Sequence, residues 1–262
     1  MRLLRTVVAG IVVILLAVPA SATAVERWQP TTSDRLHIQL SGQLRVPAWA
    51  TFVEIDGAES TADIVSGLHG RGLRVACYVS AGTAEAYRGD VARIPASVIG
   101  RPLDEWPDER WLDVRRVALL APVMQARIDD CARKGFDAIE FDNVDGWTHD
   151  SGFPIGRSDS LRYLRWLIRQ GHAAGLAVGL KNALGLVPAL AHRVDWALNE
   201  QCAEYDECDR YAPLVRLGTP VFVLEYEGSK KELCAVTARA GLIAQLKHLN
   251  LDGWSRPCTG GP

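Results

Sequence analysis

The 262-residue chain lacks the short motifs that mark many enzyme classes. No glycine-rich dinucleotide or phosphate loop follows its first strand-like run, which removes the main support for an open, doubly wound sheet. A G-x-S-x-G elbow for a serine hydrolase and an H-E-x-x-H helix for a metalloprotease are both absent. The cysteines never fall at C-x2-C spacing and no histidine pair flanks them, which argues against zinc. Low-complexity stretches, long linkers and solenoid-period repeats are missing too, so nothing marks an internal boundary. Neither sign of charge dominates. The net charge of −2 falls to −4 once Arg2 and Arg5 leave with an N-terminal leader. That mild acidity disfavours nucleic acid and suits a cationic partner. Beyond Val18 no apolar run approaches the roughly 20 residues of a membrane-spanning helix.

What is present begins with that leader. Met1-Arg2-Leu3-Leu4-Arg5, an apolar run from Thr6 to Val18 and the small residues Ala20 to Ala24 form the three parts of a secretory signal. Residues 1–24 are therefore expected to be a signal peptide and residues 25–262 one secreted domain, without stable membrane association after cleavage. In an exported chain, six cysteines suggest disulfides. Cys202 with Cys208, both in a polar connection, and Cys234 with Cys258, pinning the tail, are the expected pairs. Cys77 and Cys131 stay open between a third bridge and two buried thiols.

Short apolar runs alternate with amphipathic segments along the domain. Strands are expected at His37–Leu40, Phe52–Asp56, Arg74–Val79, Ala138–Phe141, Ala177–Leu180, Val194–Leu198, Val221–Leu224 and Gly241–Leu246. Helical patterns cover Ala62–His69, Pro122–Lys134, Ser158–Ala174 and Lys231–Ala240. Lys134-Gly135, Ala174-Gly175, Leu217-Gly218 and Ala240-Gly241 repeat one helix-to-strand hand-over. Near-continuous apolar strands joined by helices imply a parallel sheet covered on both faces. Eight of them favour an α/β fold, a single-domain (β/α)8 TIM barrel. The stretch from Arg88 to Arg116, with three prolines and the exposed-looking Trp106 and Trp111, reads as a long loop with short helices on the active-site face.

Parallel strands aim their C-terminal ends at one face, so residues just past them converge whatever their separation in sequence. That face is expected to collect Asp56, Tyr78, Ser80, Asp142, Asn143, Asp145, Lys181, Asn182, Glu200, Gln201, Glu225 and Tyr226. Any one of these has a bland origin as a turn former. Acids at four strand ends together with a Lys-Asn pair are harder to explain that way. Paired carboxylates suit glycosidic bond cleavage, where one acid protonates the leaving oxygen and the other attacks the anomeric carbon or activates water. Calcium is the other use of such acids, but Asp142-Asn143-x-Asp145 lacks the alternating ligand spacing and terminal Glu of a calcium loop. No metal and no cofactor are expected.

The strings Tyr78-Val79-Ser80-Ala81-Gly82, Trp111-Leu112-Asp113-Val114-Arg115, Gly135 to Asp145, Gly179-Leu180-Lys181-Asn182, Asn199-Glu200-Gln201-Cys202 and Val221-Phe222 with Glu225-Tyr226 resemble glycoside hydrolase family 114. Its members are endo-α-1,4-polygalactosaminidases, and the likeness runs from about Trp28 to Cys258. The resemblance implies a (β/α)8 fold, a cationic amino-sugar polymer as substrate, and catalytic acids at Asp142 and Glu200. Asp142 is then expected to be the nucleophile and Glu200 the general acid/base of a retaining mechanism. Asp56, Asp145 and Glu225 are expected to face substrate ammonium groups, and Tyr78 and Tyr226 to offer rings and hydroxyls. Lys181 and Asn182 either bind sugar hydroxyls or hold a carboxylate in place, and Trp147 offers a stacking ring. Trp166 and Trp196 are expected in the core. The rival readings are a related hydrolase on another polysaccharide and a sugar-binding barrel that has lost its chemistry.

Overall fold

The structure, a computed structural model, describes residues 27–258. The leader read at residues 1–24 lies outside them. Runs of β-branched and aromatic residues form β1 (Leu36–Gln39), β2 (Phe52–Asp56) and β3 (Arg74–Ser80), with α1 (Ala62–His69) between the last two. A small antiparallel sheet of β4 (Thr83–Glu85), β5 (Ile99–Pro102) and β6 (Glu109–Leu112) follows, in the order β4-β6-β5. The chain continues as α2 (Val117–Lys134), β7 (Ala138–Asp142), α3 (Arg157–Ala173), β8 (Ala177–Lys181) and the single turn α4 (Val187–Leu190). Then come β9 (Trp196–Glu200), α5 (Ala212–Val215), β10 (Val221–Glu225), α6 (Lys230–Ala240), β11 (Ile243–Lys247) and β12 (Ser255–Pro257).

The main sheet has nine strands in the order β1-β2-β3-β7-β8-β9-β10-β11-β12, and only β12 pairs antiparallel. Its eight parallel strands bend round into a barrel. Between β11 and β1 the seam is bridged by a side chain, Gln245 Nε2 donating to the Leu36 carbonyl at 2.8 Å. Each expected strand is present, with ends shifted by a residue or two. Two differences stand out. The stretch expected to be a long loop with short helices holds two single 3-10 turns, Val91–Arg93 and Ala96–Val98, but also β5 and β6 of the small sheet, whose β4 lies against β3, and Trp111 within it is buried at 6% exposure. The crossovers after β8 and β9 shrink to single turns, too short to show helical periodicity in sequence.

Alternation splits the barrel strands into two packing sets. Outward residues such as Val75, Cys77, Ile139, Phe141, Val178 and Leu180 meet the helices in the larger core. Inward residues fill the barrel, and its lower part is aromatic. Phe52 sits at the centre of this plug, with ring centroids 4.7 Å from Trp28, 5.2 Å from Trp196 and 5.8 Å from Phe222. Ala76, Ala138 and Ala177 make room for these rings. Gly179 does so absolutely, since a Cβ there would stand 2.4 Å from Trp196 Cε2. At the four helix-to-strand hand-overs the glycines carry φ of 88°, 81°, 73° and 74° (Gly135, Gly175, Gly218, Gly241), as the repeated dipeptides suggested. Among the described residues no helix is long and apolar enough to cross a membrane.

Three disulfides pin this frame: Cys202–Cys208, Cys234–Cys258 and, resolving the open pair, Cys77–Cys131. The last ties the outer face of β3 to α2 across a sequence separation of 54, against 6 for Cys202–Cys208. Closing a longer loop removes more unfolded-state entropy. Replacing Cys77 and Cys131 by Ala is therefore expected to cost about 3–4 kcal/mol, and the Cys202/Cys208 pair about 2 kcal/mol, in denaturant unfolding. A larger loss from the short loop would contradict the ordering.

Candidate active site

Three neighbouring strands end in the same way. Asp142, Lys181 and Glu200 close β7, β8 and β9, and the next residues, Asn143, Asn182 and Gln201, have φ of 60°, 46° and 65°. Left-handed backbone at non-glycine residues is uncommon and costs free energy, so it persists only where surrounding contacts hold it. Here the contacts are visible. The Asn143 amide donates to Ser80 Oγ at 3.0 Å, and Gly82 lets the β3–β4 turn approach so closely that a Cβ would stand 1.6 Å from the Asn143 carbonyl oxygen. Asn182 Oδ1 accepts from the Glu200 backbone N–H at 2.8 Å while its Nδ2 donates to Glu200 Oε2 at 3.1 Å. The Gln201 N–H reaches the Leu224 carbonyl at 2.8 Å. Each left-handed residue thus ends its strand directly after Asp142, Lys181 or Glu200.

Those three side chains meet. Lys181 Nζ lies 3.3 Å from Asp142 Oδ2 and 3.4 Å from Glu200 Oε2, with the lysine side chain only 2% exposed. The sum of the two distances caps the separation of these oxygens at about 6.7 Å, a limit that admits the ~5–5.5 Å spacing of retaining glycosidases and excludes most of the ~6.5–9.5 Å inverting range. Tyr78 Oη donates to Asp142 Oδ2 at 3.1 Å, and Tyr226 Oη donates to Glu200 Oε1.

Charge is distributed unequally over the pair. Burial works to raise both carboxyls. At Glu200 the Lys181 ammonium and the bonds from Tyr226 and Asn182 overcome it, and the group sits below the ordinary glutamate range. At Asp142 the same ammonium is offset by the negative charge of Glu200, and the group sits above the aspartate range. Burial disfavours the Lys181 ammonium, yet Asp142, Glu200 and Glu140 push it well above its usual value, so it stays charged.

Other expected residues have different surroundings. Both oxygens of Asp56 are taken by Arg88, at 2.8 and 2.5 Å, and Glu225 accepts from the Ala203 N–H at 2.7 Å. Neither carboxylate is open to a substrate ammonium. Trp147 is half-buried against the core, with its ring edge 3.5 Å from where a Gly185 Cβ would be. Asp145 keeps a side chain 23% exposed, with His149 Nε2 at 3.7 Å. Gln201 Nε2 donates to Glu204 rather than toward Asp142 and Glu200.

Three acids were not foreseen. Glu109, on β6, accepts from Thr83 Oγ1 at 2.7 Å and from the Asn143 amide at 3.3 Å, and burial pushes it up to about 7. Glu54 and Glu140 are inward residues of β2 and β7, fully buried beneath Asp142 and Lys181. Their only signal in sequence is inward alternation, Phe52/Glu54/Asp56 and Ala138/Glu140/Asp142, each with a Glu between an apolar residue and a rim acid.

Removing the cation tests this electrostatic frame. Lys181→Met leaves Glu140, Asp142 and Glu200 without their ammonium partner, which is expected to cost about 3–5 kcal/mol at neutral pH. Without the lysine their folded-state pKa values rise, so they destabilise the fold as pH climbs above the unfolded carboxyl value and cease to do so when protonated in acid. Urea unfolding of the variant should therefore approach wild type as pH falls, and a pH-independent difference would contradict the frame.

The sequence matches glycoside hydrolase family GH114 over residues 17–262. No curated protein matches the chain. Among solved structures it is similar to Aspergillus fumigatus Ega3 in complex with galactosamine, with a TM-score of 0.84 and 32% identity over 91% of this chain and 100% of that one. The glycoside hydrolase domain of PelA from Pseudomonas aeruginosa shares the fold at a TM-score of 0.65 and 16% identity, over 84% of this chain and 97% of that one. A barrel with two carboxylates held at its mouth and a family match across nearly the whole sequence lead to one conclusion: the chain belongs to glycoside hydrolase family 114 and is a glycoside hydrolase.

Proposed function

We propose that the protein is a secreted, endo-acting hydrolase of α-1,4-linked galactosamine polymers that works by retaining double displacement at Asp142 and Glu200. The observation that carries this reading is the shared lysine, which keeps the two carboxylates close enough for one glycosidic linkage to lie between them. The likeness to Ega3, whose structure contains galactosamine, supports the sugar. Three disulfides suit an oxidising compartment and so support export.

In this mechanism an Asp142 oxygen attacks the anomeric carbon while Glu200 gives its proton to the departing oxygen, leaving a glycosyl ester on Asp142. Water then attacks the same carbon, Glu200 takes its proton back, and the ester bond breaks to restore the Asp142 carboxylate. Tyr78 steadies Asp142, and Asn182 and Tyr226 aim Glu200. Asp145, partly exposed at the rim, remains available to an ammonium group of the polymer.

One observation favours exchanged roles. In the substrate-free site the hydrogen bonds concentrate negative charge on Glu200 and keep Asp142 above its ordinary range, which is the pattern of a Glu200 nucleophile beside an Asp142 acid. Azide separates the two, because it replaces water at the glycosyl-enzyme when the acid/base is missing and attacks the sugar directly when the nucleophile is missing. With an activated galactosaminide, Glu200→Ala is expected to regain turnover in azide and release the α-azide, whereas Asp142→Ala releases the β-azide. The opposite pairing would exchange the roles.

Incubation with deacetylated and acetylated galactosaminan tests the reaction itself. Oligomers of several lengths are expected from the deacetylated polymer, with turnover lowered about 10²–10⁴-fold in Glu200→Gln. Products from unrelated polysaccharides alone would overturn the assignment of substrate.

A further inference from the structure

Below the catalytic pair lie two acids that the double displacement does not use. Glu54 and Glu140 are both 0% exposed, and none of their four carboxyl oxygens has a hydrogen-bond donor among the described residues. The nearest cation is Lys181, whose Nζ is 3.7 Å from Glu140 Oε1, farther than from either catalytic oxygen. Two ionised carboxylates left this way would each carry a desolvation cost of several kcal/mol, and buried groups escape that cost by taking a proton.

Strand register sets the two one inward step apart on the strands that flank β3. Glu54 is level with Ala76 on β3, which is level with Ala138 on β7, and Glu140, two residues farther along β7, is level with Tyr78 on β3 and Gly179 on β8. Ala76 beside Glu54 and Gly179 beside Glu140 leave room around the acids, while Tyr78 stands beside Glu140 on β3 with its hydroxyl on Asp142. A proton held by one of the two carboxyls is placed for donation to the other. One proton thus satisfies two buried acids.

We infer that Glu54 and Glu140 hold one shared proton in the working enzyme, and that the single negative charge left on the pair acts through Lys181 as a positioning element for Asp142 and Glu200. Burial, the largest influence, pushes Glu54 up to about 7, and Glu140 is pushed well above the carboxylate range by burial and by the charge of Glu54. The groups facing the pair are Lys181 from β8, Asp142 from β7 and Glu200 from β9, with Tyr78 from β3 and Tyr226 after β10 around the catalytic carboxylates. With both acids ionised, Glu140 would compete with Asp142 and Glu200 for the one ammonium. With the proton shared, Lys181 is left mainly to the catalytic pair, while the remaining charge raises the proton affinity of the carboxyls above it. The positioning role rests on the two-carboxylate mechanism; the shared proton does not.

Amide substitutions count the proton. Glu54→Gln or Glu140→Gln replaces a shared-proton pair by an amide–carboxylate pair of the same charge and shape, so each single variant should keep the basic limb of kcat/KM against pH where wild type has it. The double variant removes the charge, and its basic limb should move down by about one pH unit. Single variants that shift about halfway to the double would mean that the pair holds no proton. A double variant that superimposes on wild type would mean that the pair does not act on the site. Either result overturns the inference.

Thermal unfolding reads the proton without reference to activity. Wild type keeps a proton that the unfolded chain releases above a pKa of about 4.5, so its stability falls as pH rises from there to about 7, and stays low beyond. The melting midpoint of the double amide variant should climb relative to wild type across that interval. Parallel curves would refute the shared proton. If the curves diverge as expected while Asp142→Asn and Glu200→Gln keep full activity, the proposed mechanism fails and the buried proton stands.

Discussion

One ammonium group inside the barrel governs the rest of the site. Lys181 is buried, and a buried charge must be paired or it neutralises. It stays charged because acids from β7 and β9 close on it from two sides, with Glu140 beneath. The same contacts keep those acids from repelling one another apart. The cluster is therefore a mutual constraint: removing the lysine leaves acids without their cation, and removing an acid leaves a buried ammonium less well paired. Mutual constraint of this kind holds side chains to within a fraction of an ångström, which is the precision that bond cleavage requires.

The fold makes this affordable at the mouth of the barrel by being apolar everywhere else. Below the acids, Phe52, Trp28, Trp196 and Phe222 form a dry plug, and outside the strands a continuous aliphatic core packs the helices. Gly179 links the two halves. Its missing side chain admits the Trp196 ring, and its neighbour in register on β7 is Glu140. The left-handed residues after β7, β8 and β9 then end the strands abruptly, with the acid pair, Lys181, Asp142 and Glu200 above the plug. Backbone strain at Asn143, Asn182 and Gln201 is the local cost of that placement.

Much of this was legible in the amino-acid order. Strand ends carrying Asp142, Lys181 and Glu200 could be found because parallel topology sends every such end to one face. Glycine after each helix marked the hand-overs. The remainder was hidden for physical reasons. A lone Glu inside an apolar strand, as at Glu54 and Glu140, looks outward-facing until the inward alternation of its neighbours is known. Asp56 and Glu225 carry the same strand-end signature as Asp142 and Glu200, and only the fold brings Arg88 and the Ala203 N–H to engage them. The sheet of β4, β5 and β6 was obscured by its prolines and irregular register, and with it the burial of Trp111 and the acid Glu109. Lys181 could be read as a sugar contact or as an ion-pair partner, and the structure pairs it with Asp142, Glu200 and Glu140.

The stereochemistry of cleavage reports most directly on whether Asp142 and Glu200 form one compact pair around Lys181. Proton NMR of the reducing ends, recorded in the first moments of hydrolysis of an α-1,4-galactosamine oligomer, shows which anomer leaves the enzyme before mutarotation. A pair held within the reach of one lysine predicts that the α-anomer appears first. Initial release of the β-anomer would mean that a water molecule fits between the carboxylates and attacks directly, and would contradict the geometry on which the account stands.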